Sequence, residues 1–183
     1  MWQSKDISLV IITAVAVFIL TLFVFQTANM ITGLPGANYI FTFGMATLVS
    51  LTFLLFEGRR WRFFMHNVLV SILTLPTSLA GQPYDITPRL IVILAGIPAD
   101  IILNTLYKYF KNNNKLVWWS ILSGTGFFLL LPFFQILIFP LYLPSQFIAT
   151  FASIVIIMLP WIIGGGIAGG YLGFKIFERV NKL

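Results

Sequence analysis

The stretch "LIVILAGIPADIILNTLY", Leu90–Tyr107, decides the fold of this chain. It is long and apolar enough for a membrane helix, since a bilayer core of about 30 Å takes roughly 20 apolar residues. It also carries Pro98 and, two positions later, the carboxylate of Asp100. An unpaired ionised carboxylate inside a bilayer costs several kcal/mol, so Asp100 is expected to face the protein interior.

The whole chain has the composition of an integral membrane protein. Hydrophobic residues make up 59% of its 183 residues and charged residues 9%, and the mean hydropathy is +0.98. A water-soluble domain of this length needs far more polar surface. There is no cysteine and a single histidine, His66. Disulfides are therefore excluded, and no metal site built from the chain's own ligands is expected.

Six segments qualify as membrane spans by their length and apolar character. The first is too long for the core of a signal peptide, and no small-residue cleavage site follows it. Lone glycines and prolines within spans are tolerated, because neighbouring helices satisfy the freed backbone groups. The prediction is an all-α integral membrane protein with one six-helix transmembrane domain over 1–183. Its spans are Ile7–Thr27, Asn38–Phe56, Trp61–Leu79, Thr87–Tyr107, Leu116–Phe139 and Gln146–Phe177.

The basic residues are distributed unequally between the two ends of these spans. With the N-terminus in the cytoplasm, the inner segments hold all of the 11 lysines and arginines except Arg89. Such asymmetry follows the positive-inside rule and predicts cytoplasmic N- and C-termini in a multi-pass protein of the cell (plasma) membrane. Trp2, Trp61, Trp118 and Trp119 fall at the inner boundary, where indoles prefer to lie. The dispersed charge indicates no nucleic-acid partner.

The sequence contains none of the common catalytic motifs. It has no Gly-Lys-Ser or Gly-Lys-Thr of a P-loop, no Gly-x-Ser-x-Gly and no His-Glu-x-x-His. The chain is therefore not expected to be an enzyme, to hydrolyse ATP by itself or to carry a cofactor.

The predicted outer loops are nearly free of charge and rich in Pro, Gly, Asn, Gln and Tyr. Such residues serve either as simple turn formers or as the polar cap of a small-molecule site. The outer ends of spans two, four and five should converge there, beside abundant Phe. The predicted substrate-binding residues are Asn38, Tyr39, Gln82, Tyr84, Asp85, Arg89, Gln135 and Tyr142. Arg89 either pairs with Asp85 as a loop clamp or meets an anionic group of the ligand.

Asp100 is predicted to belong to a buried polar cluster. Asn104 lies one helical turn from it, and two polar residues of the third span lie at a similar depth. The predicted cluster is His66, Asn67, Asp100 and Asn104. Pro98 also predicts a new half-helix with Asp100 in its first turn. The carboxylate is either a proton or cation relay or a structural clamp between spans three and four. The clamp is favoured, because a relay normally shows several acidic groups in series.

The last span carries glycines at four-residue spacing, at Gly165, Gly169 and Gly173. Small residues at this spacing let another helix approach closely. The neighbour is either a helix of the same bundle or a helix of another protein, and both interpretations stay open at this point.

The chain resembles the S components of energy-coupling factor transporters, small six-span proteins that capture vitamins and related micronutrients. The resemblance rests on length, six spans and four segments: "GLPGANY" (33–39), "FEGRRW" (56–61), "LAGIPADIILN" (94–104) and "GGGIAGGYLGFKIFERV" (164–180). It implies capture of a small molecule from the outer side and docking onto a transmembrane scaffold protein driven by two ATPase subunits.

The resemblance also adds a residue to the predicted helix-partner interface. The family often contacts the scaffold through two alanines four residues apart in the first span. In this chain Ala14 and Ala16 are two apart, and Phe stands at position 18. The predicted interface is Gly165, Gly169, Gly173 and Ala14. The alternative function is an accessory structural subunit of a larger multi-subunit membrane complex, with no catalysis of its own.

Overall fold

A computed structural model describes residues 2–32, 37–79 and 83–182, apart from the side chains of 24–32, 37 and 38. All regular structure within these ranges is helical, as the sequence predicts. The helices are α1 (Ser4–Thr32), α2 (Thr42–Phe56), α3 (Arg62–Thr74), α4 (Ile86–Asn112), α5 (Leu116–Ile138) and α6 (Ser145–Val180). Short 3-10 helices lie at Ala37–Phe41 and Phe139–Leu141.

Five helical segments in the described ranges are long and apolar enough to cross a membrane. They are Ser4–Phe23, Tyr39–Phe56, Ile86–Asn112, Leu116–Leu141 and Ser145–Val180. The exception among the predicted spans is the third, because α3 has only 13 residues. At 1.5 Å per residue it is about 20 Å long, shorter than a bilayer core. The helical, multi-pass character of the chain is therefore evident, whereas six full-length spans are not.

Helix α4 runs without interruption through Pro98. The predicted half-helix beginning near this residue is therefore wrong, and Asp100 lies in the interior of a continuous helix. Membrane helices accommodate an internal proline when neighbouring groups compensate for the missing backbone bond.

Helix α6 packs closely against α2 and α5. A Cβ atom added at Gly169 would lie 2.9 Å from the Cβ of Ala46 and the amide nitrogen of Thr47, both in α2. One added at Gly173 would lie 2.8 Å from the carbonyl oxygen of Thr47. One at Gly170 would lie 2.8 Å from the carbonyl oxygen of Ser120 in α5. The glycines thus let α6 pack backbone to backbone on two helices of its own chain.

This packing corrects the interpretation of the small residues as an external interface. Gly165, Gly169 and Gly173 all face α2, and Ala14 of α1 is 0% exposed. The three glycines are occupied inside the chain because α2 and α6 run parallel in register along them, and Ala14 is buried within the bundle.

Gly169→Ala is expected to lower the free energy of unfolding by about 2 kcal/mol or more, because the added methyl group overpacks the contact with α2. Gly164→Ala is the matched control, since a Cβ there meets nothing within 4 Å. The control should be neutral or slightly stabilising, because alanine favours helix more than glycine. Unfolding in a detergent titration measures both, and equal effects would contradict the α2–α6 contact.

Contacts between helices place the chain's two helical termini at one end of the bundle. Asp6 near the start of α1 contacts Arg59 and Arg62, in the turn after α2 and at the start of α3. Helix α6 runs parallel to α2, so its last turns lie at the same end. We call this the terminal end. The distal end is the opposite one, where Tyr39, Asp85 and Tyr142 lie.

Asp6 joins α1 to the α2–α3 turn at the terminal end. It is only 3% exposed, and its carboxylate oxygens lie 2.6 Å from Arg59 Nη1 and 2.8 Å from Arg62 Nη2. The guanidinium of Arg62 also lies 4.8 Å from the ring of Trp2. Hydrogen bonding to Asp6 raises the pKa of Arg59 above its ordinary value. The first turn of α1 is thereby fixed to the base of α3.

Asp6→Asn is expected to lower the thermal unfolding midpoint by about 5 °C, because it weakens two charge-assisted hydrogen bonds in a chain of this size. Glu178→Gln is the control, because Glu178 forms exposed ion pairs with Lys175 and Lys182. Exposed pairs of this kind contribute little, so the control should leave the midpoint unchanged. A larger drop in the unfolding midpoint for Glu178→Gln than for Asp6→Asn would refute the role of Asp6 in fixing α1 to α3.

Candidate functional site: a cavity at the distal end

A cavity of about 470 Å³ lies inside the bundle at the distal end. Residues from all six α-helices and both 3-10 helices line it. Its wall is mainly apolar and includes Val49, Ile91, Phe127, Phe128, Phe139 and Phe151. Cavities of this size with apolar walls and a few polar groups are typical of small-molecule sites.

The structure brings together five of the eight predicted substrate-binding residues. These are Tyr39, Asp85, Arg89, Gln135 and Tyr142, all of which line the cavity. Tyr84 is not among the lining residues, and its side chain is 70% exposed. The side chain of Asn38 and the whole of Gln82 lie outside the described residues.

A hydrogen bond between Tyr39 and Gln135 closes one side of the cavity. The buried Tyr39 hydroxyl donates to Gln135 Oε1 at 2.7 Å. This bond joins the 3-10 helix that precedes α2 to the last turns of α5. It leaves the Nε2 donors of Gln135 for another acceptor.

Arg89 binds backbone carbonyls on the other side of the cavity. Its guanidinium donates to the carbonyl oxygens of Thr74 at 3.0 Å and Thr77 at 2.7 Å, and also to that of Asp85. The Asp85 carboxylate instead accepts from Thr87 N at 3.0 Å and caps α4. Arg89 is thus a loop clamp, but it acts through carbonyl oxygens rather than through the Asp85 carboxylate.

Asp100 caps the other end of α3. Its Oδ1 accepts from Trp61 N and Asn104 Nδ2, both at 2.7 Å, and its Oδ2 accepts from Phe64 N at 2.8 Å. Trp61 has a left-handed backbone with φ of 70° and provides no side-chain cap of its own. Amides at a helix N-terminus attract negative charge, so a carboxylate of α4 supplies the cap that α3 lacks.

One face of α4 therefore holds both ends of α3. Arg89 and Asp100 are 11 residues apart, which is about three helical turns and about 16 Å. That spacing is slightly less than the length of α3, about 20 Å, and puts the two side chains on the same face. The cation lies at the C-terminal end of α3 and the carboxylate at its N-terminal end, the signs that the helix dipole favours. Both buried charges are stabilised without forming an ion pair with each other.

The four residues of the predicted polar cluster are all buried but separate into two pairs. Asp100 and Asn104 are hydrogen-bonded to each other. His66 and Asn67 make no bond to Asp100 and line the cavity instead. The reason is that Asp100 reaches the first turn of α3. Further along α3, His66 contacts Thr13 of α1, and Asn67 packs against Gly96, one turn before Asp100 in α4.

His66 contacts Thr13 of α1 through its Nδ1 atom. The Thr13 hydroxyl donates its single proton to Leu9 O at 2.7 Å and lies 3.0 Å from His66 Nδ1. With that proton on Leu9 O, the hydroxyl accepts from Nδ1–H, and in this tautomer Nε2 is an acceptor. Thr13 and Asp6 were not among the residues predicted from the sequence. A hydroxyl and a carboxylate within an otherwise apolar first span were the available signals.

No protein family, characterised protein or solved structure was found to match this chain. Within the described residues, no group of three His, Asp or Glu side chains is placed to hold a metal ion. The functional argument therefore rests on the cavity and its polar groups.

Proposed function

We propose that this chain is the membrane-embedded capture subunit of an uptake transporter and binds a micronutrient-sized molecule in the distal cavity. The observation that carries the proposal is the cavity itself, about 470 Å³ in volume with an apolar, Phe-rich wall and a few fixed polar groups. An accessory subunit that only fills space in a complex has no need of such a cavity. The sequence resemblance to S components supports the same function.

The proposed orientation puts the distal end outside and both termini in the cytoplasm. Arg59, Arg60 and Arg62 lie at the terminal end, whereas Arg89 is at the distal end, in accord with the positive-inside rule. In this arrangement α3 and the turn at 75–79 together complete a sixth crossing. The cavity then faces the outside, as capture requires. The resemblance to S components implies that the energy would come from partner ATPase subunits acting through a transmembrane scaffold.

Cysteine labelling in intact cells tests this orientation, and the chain has no native cysteine to interfere. Tyr84→Cys, at an exposed distal position, should react with a membrane-impermeant maleimide. Lys111→Cys and Lys182→Cys should react only after the cells are opened. Labelling of either lysine position in intact cells would overturn the orientation.

Thermal unfolding of the purified chain across a micronutrient panel tests the capture function. A ligand at 100 times its Kd adds about 2.7 kcal/mol to the free energy of unfolding. One compound class should raise the midpoint, and Val70→Trp should abolish that rise because Val70 lines the cavity. Ile72→Trp is the control, since Ile72 is on the exposed face of the same helix. A silent panel, with copurification in fixed stoichiometry with an unrelated membrane enzyme, would favour the accessory subunit.

A further inference from the structure

The part of the cavity nearest the centre of the bundle presents two adjacent polar side chains of α3. His66 and Asn67 both line the cavity and are 1% and 3% exposed. In the tautomer whose Nδ1–H donates to Thr13, His66 Nε2 is a hydrogen-bond acceptor. Asn67 Nδ2 is buried and has no hydrogen-bond partner among the described residues. The protein therefore places a hydrogen-bond acceptor and an amide in the same part of the cavity. Leaving the buried Asn67 donor unpaired costs about 1–3 kcal/mol.

Asn67 can direct its amide donors into the cavity. As placed, Nδ2 lies against Gly96 of α4, where an added Cβ would come within 3.2 Å of Asn67 Cγ. A glycine at position 96 thus leaves room for this amide between the helices. A half turn about the Cβ–Cγ bond exchanges the positions of Oδ1 and Nδ2, two groups of similar size. The N–H donors then face a ligand carbonyl, which removes the cost of leaving them unpaired.

The charged groups of the cavity balance, so it favours a neutral ligand. Arg89 and Asp85 are the cation and the carboxylate among the lining residues. Arg89 is engaged with three carbonyl oxygens and Asp85 with the first turn of α4. An ionic ligand would remain uncompensated against an apolar wall, which is costly.

Aromatic rings adjoin the His66–Asn67 pair. The ring of Phe63 stacks on His66 at 5.6 Å and meets Phe127 edge to face at 5.0 Å. Phe127 and Phe128 also line the cavity and contact each other edge to face at 5.7 Å. Flat rings pack well against such faces and edges, so a planar ligand fits this region better than a branched aliphatic one.

We propose, on the basis of the capture function above, that the ligand is a neutral planar heterocycle with a ring amide. Its N–H donates to His66 Nε2, and its adjacent C=O accepts from Asn67 Nδ2. Both side chains line the same cavity, so one ligand can reach the two of them. His66 and Asn67 are thus specificity-determining residues of the cavity.

A pair of probes that differ at one atom tests this assignment on the purified full chain. Phenanthridinone is a neutral tricyclic ring amide, and N-methylphenanthridinone lacks the N–H but keeps the carbonyl. The wild-type protein should bind phenanthridinone at least tenfold more tightly than the N-methyl compound in a fluorescence titration. His66→Phe keeps an aromatic ring and removes the acceptor, so the affinity ratio should fall to about 1.

The Asn67→Ala variant separates the second contact from the first. Both probes carry the carbonyl, so both should bind about tenfold more weakly while the ratio between them is retained. Ile72→Ala, on the outward face of α3, should bind both probes as the wild type does. If the His66→Phe protein does not fold, the wild-type ratio and the Asn67→Ala result still decide the matter.

The outcomes distinguish this inference from the capture function. A wild-type affinity ratio near 1 overturns the ring-amide assignment. The ring-amide assignment is also overturned if a charged micronutrient binds and phenanthridinone does not. In that case the capture function still stands. If no compound of either set binds, both proposals fail. A tenfold ratio in the wild type that disappears in His66→Phe and persists in Asn67→Ala establishes the ring-amide contact.

Discussion

Replacing Asp100 by leucine should lower the free energy of unfolding by about 4 kcal/mol. The carboxylate receives hydrogen bonds from Trp61 N, Phe64 N and Asn104 Nδ2, and leucine leaves all three donors without this acceptor. Each unpaired buried donor costs about 1–3 kcal/mol, and the two partly buried amides at the start of α3 lie towards the lower end of that range. Unfolding of the purified chain in a detergent titration measures the loss.

Asp100→Asn is the graded control for this prediction. An asparagine keeps one carbonyl oxygen, but its NH₂ group would face a donor, because both carboxylate oxygens accept hydrogen bonds. The expected loss is about half that of leucine. A proton or cation relay predicts the opposite pattern, a stable Asp100→Asn protein that has lost its function. An Asp100→Asn protein as stable as the wild type would refute the capping role.

Replacing Arg89 by leucine should lower the free energy of unfolding by about 3 kcal/mol and abolish ligand binding. The guanidinium joins the last residue of α3, Thr74, and Thr77 in the following turn to the start of α4. Without it these carbonyls lose charge-assisted bonds, each worth about 1.5–3 kcal/mol, and the cavity loses one wall. Thermal unfolding and the probe titration report the two effects.

Arg89→Lys is the matched control, because it keeps the charge but not the planar fork of donors. It should retain part of the stability, since a lysine ammonium is a point charge that cannot bridge carbonyls in the same geometry. The double variant, Asp100→Asn with Arg89→Lys, should lose less free energy of unfolding than the sum of the two single losses. Both side chains hold α3 against α4, so once one substitution has loosened α3, the second has less contact left to weaken. Strict additivity would show that the two side chains do not act on one helix.

The clamp role of Asp100 illustrates what the sequence can and cannot show. A carboxylate in an apolar run must be satisfied inside the protein, and that requirement is readable from the run itself. Asn104 is a partner, as predicted, but the other partners of Asp100 are backbone amides at the start of α3, and backbone groups carry no sequence signal. His66 and Asn67 were plausible partners by depth, yet their direction depends on the rotation of α3 about its axis.

The length of α3 and the glycines of α6 show the same limit. Apolar character predicts a span over Trp61–Leu79, but Pro76 disfavours helix at the residue before it, and α3 ends at Thr74. Four-residue spacing of glycines predicts close helix packing, and close packing is observed. Spacing alone does not say whether the neighbour is in the same chain. The distal cavity was anticipated through loops that converge, whereas its volume and shape depend on side-chain packing.

Mass spectrometry of the small molecule bound to the purified chain tests the capture function most directly. The protein, incubated with a small-molecule extract of its own cells and then washed and denatured, should release one compound in about equal amount to the chain. Val70→Trp, which fills the cavity, should release none, and Ile72→Trp should release as much as the wild type. A wild-type protein that releases no compound, or a Val70→Trp protein that releases the same amount, would contradict capture in the distal cavity.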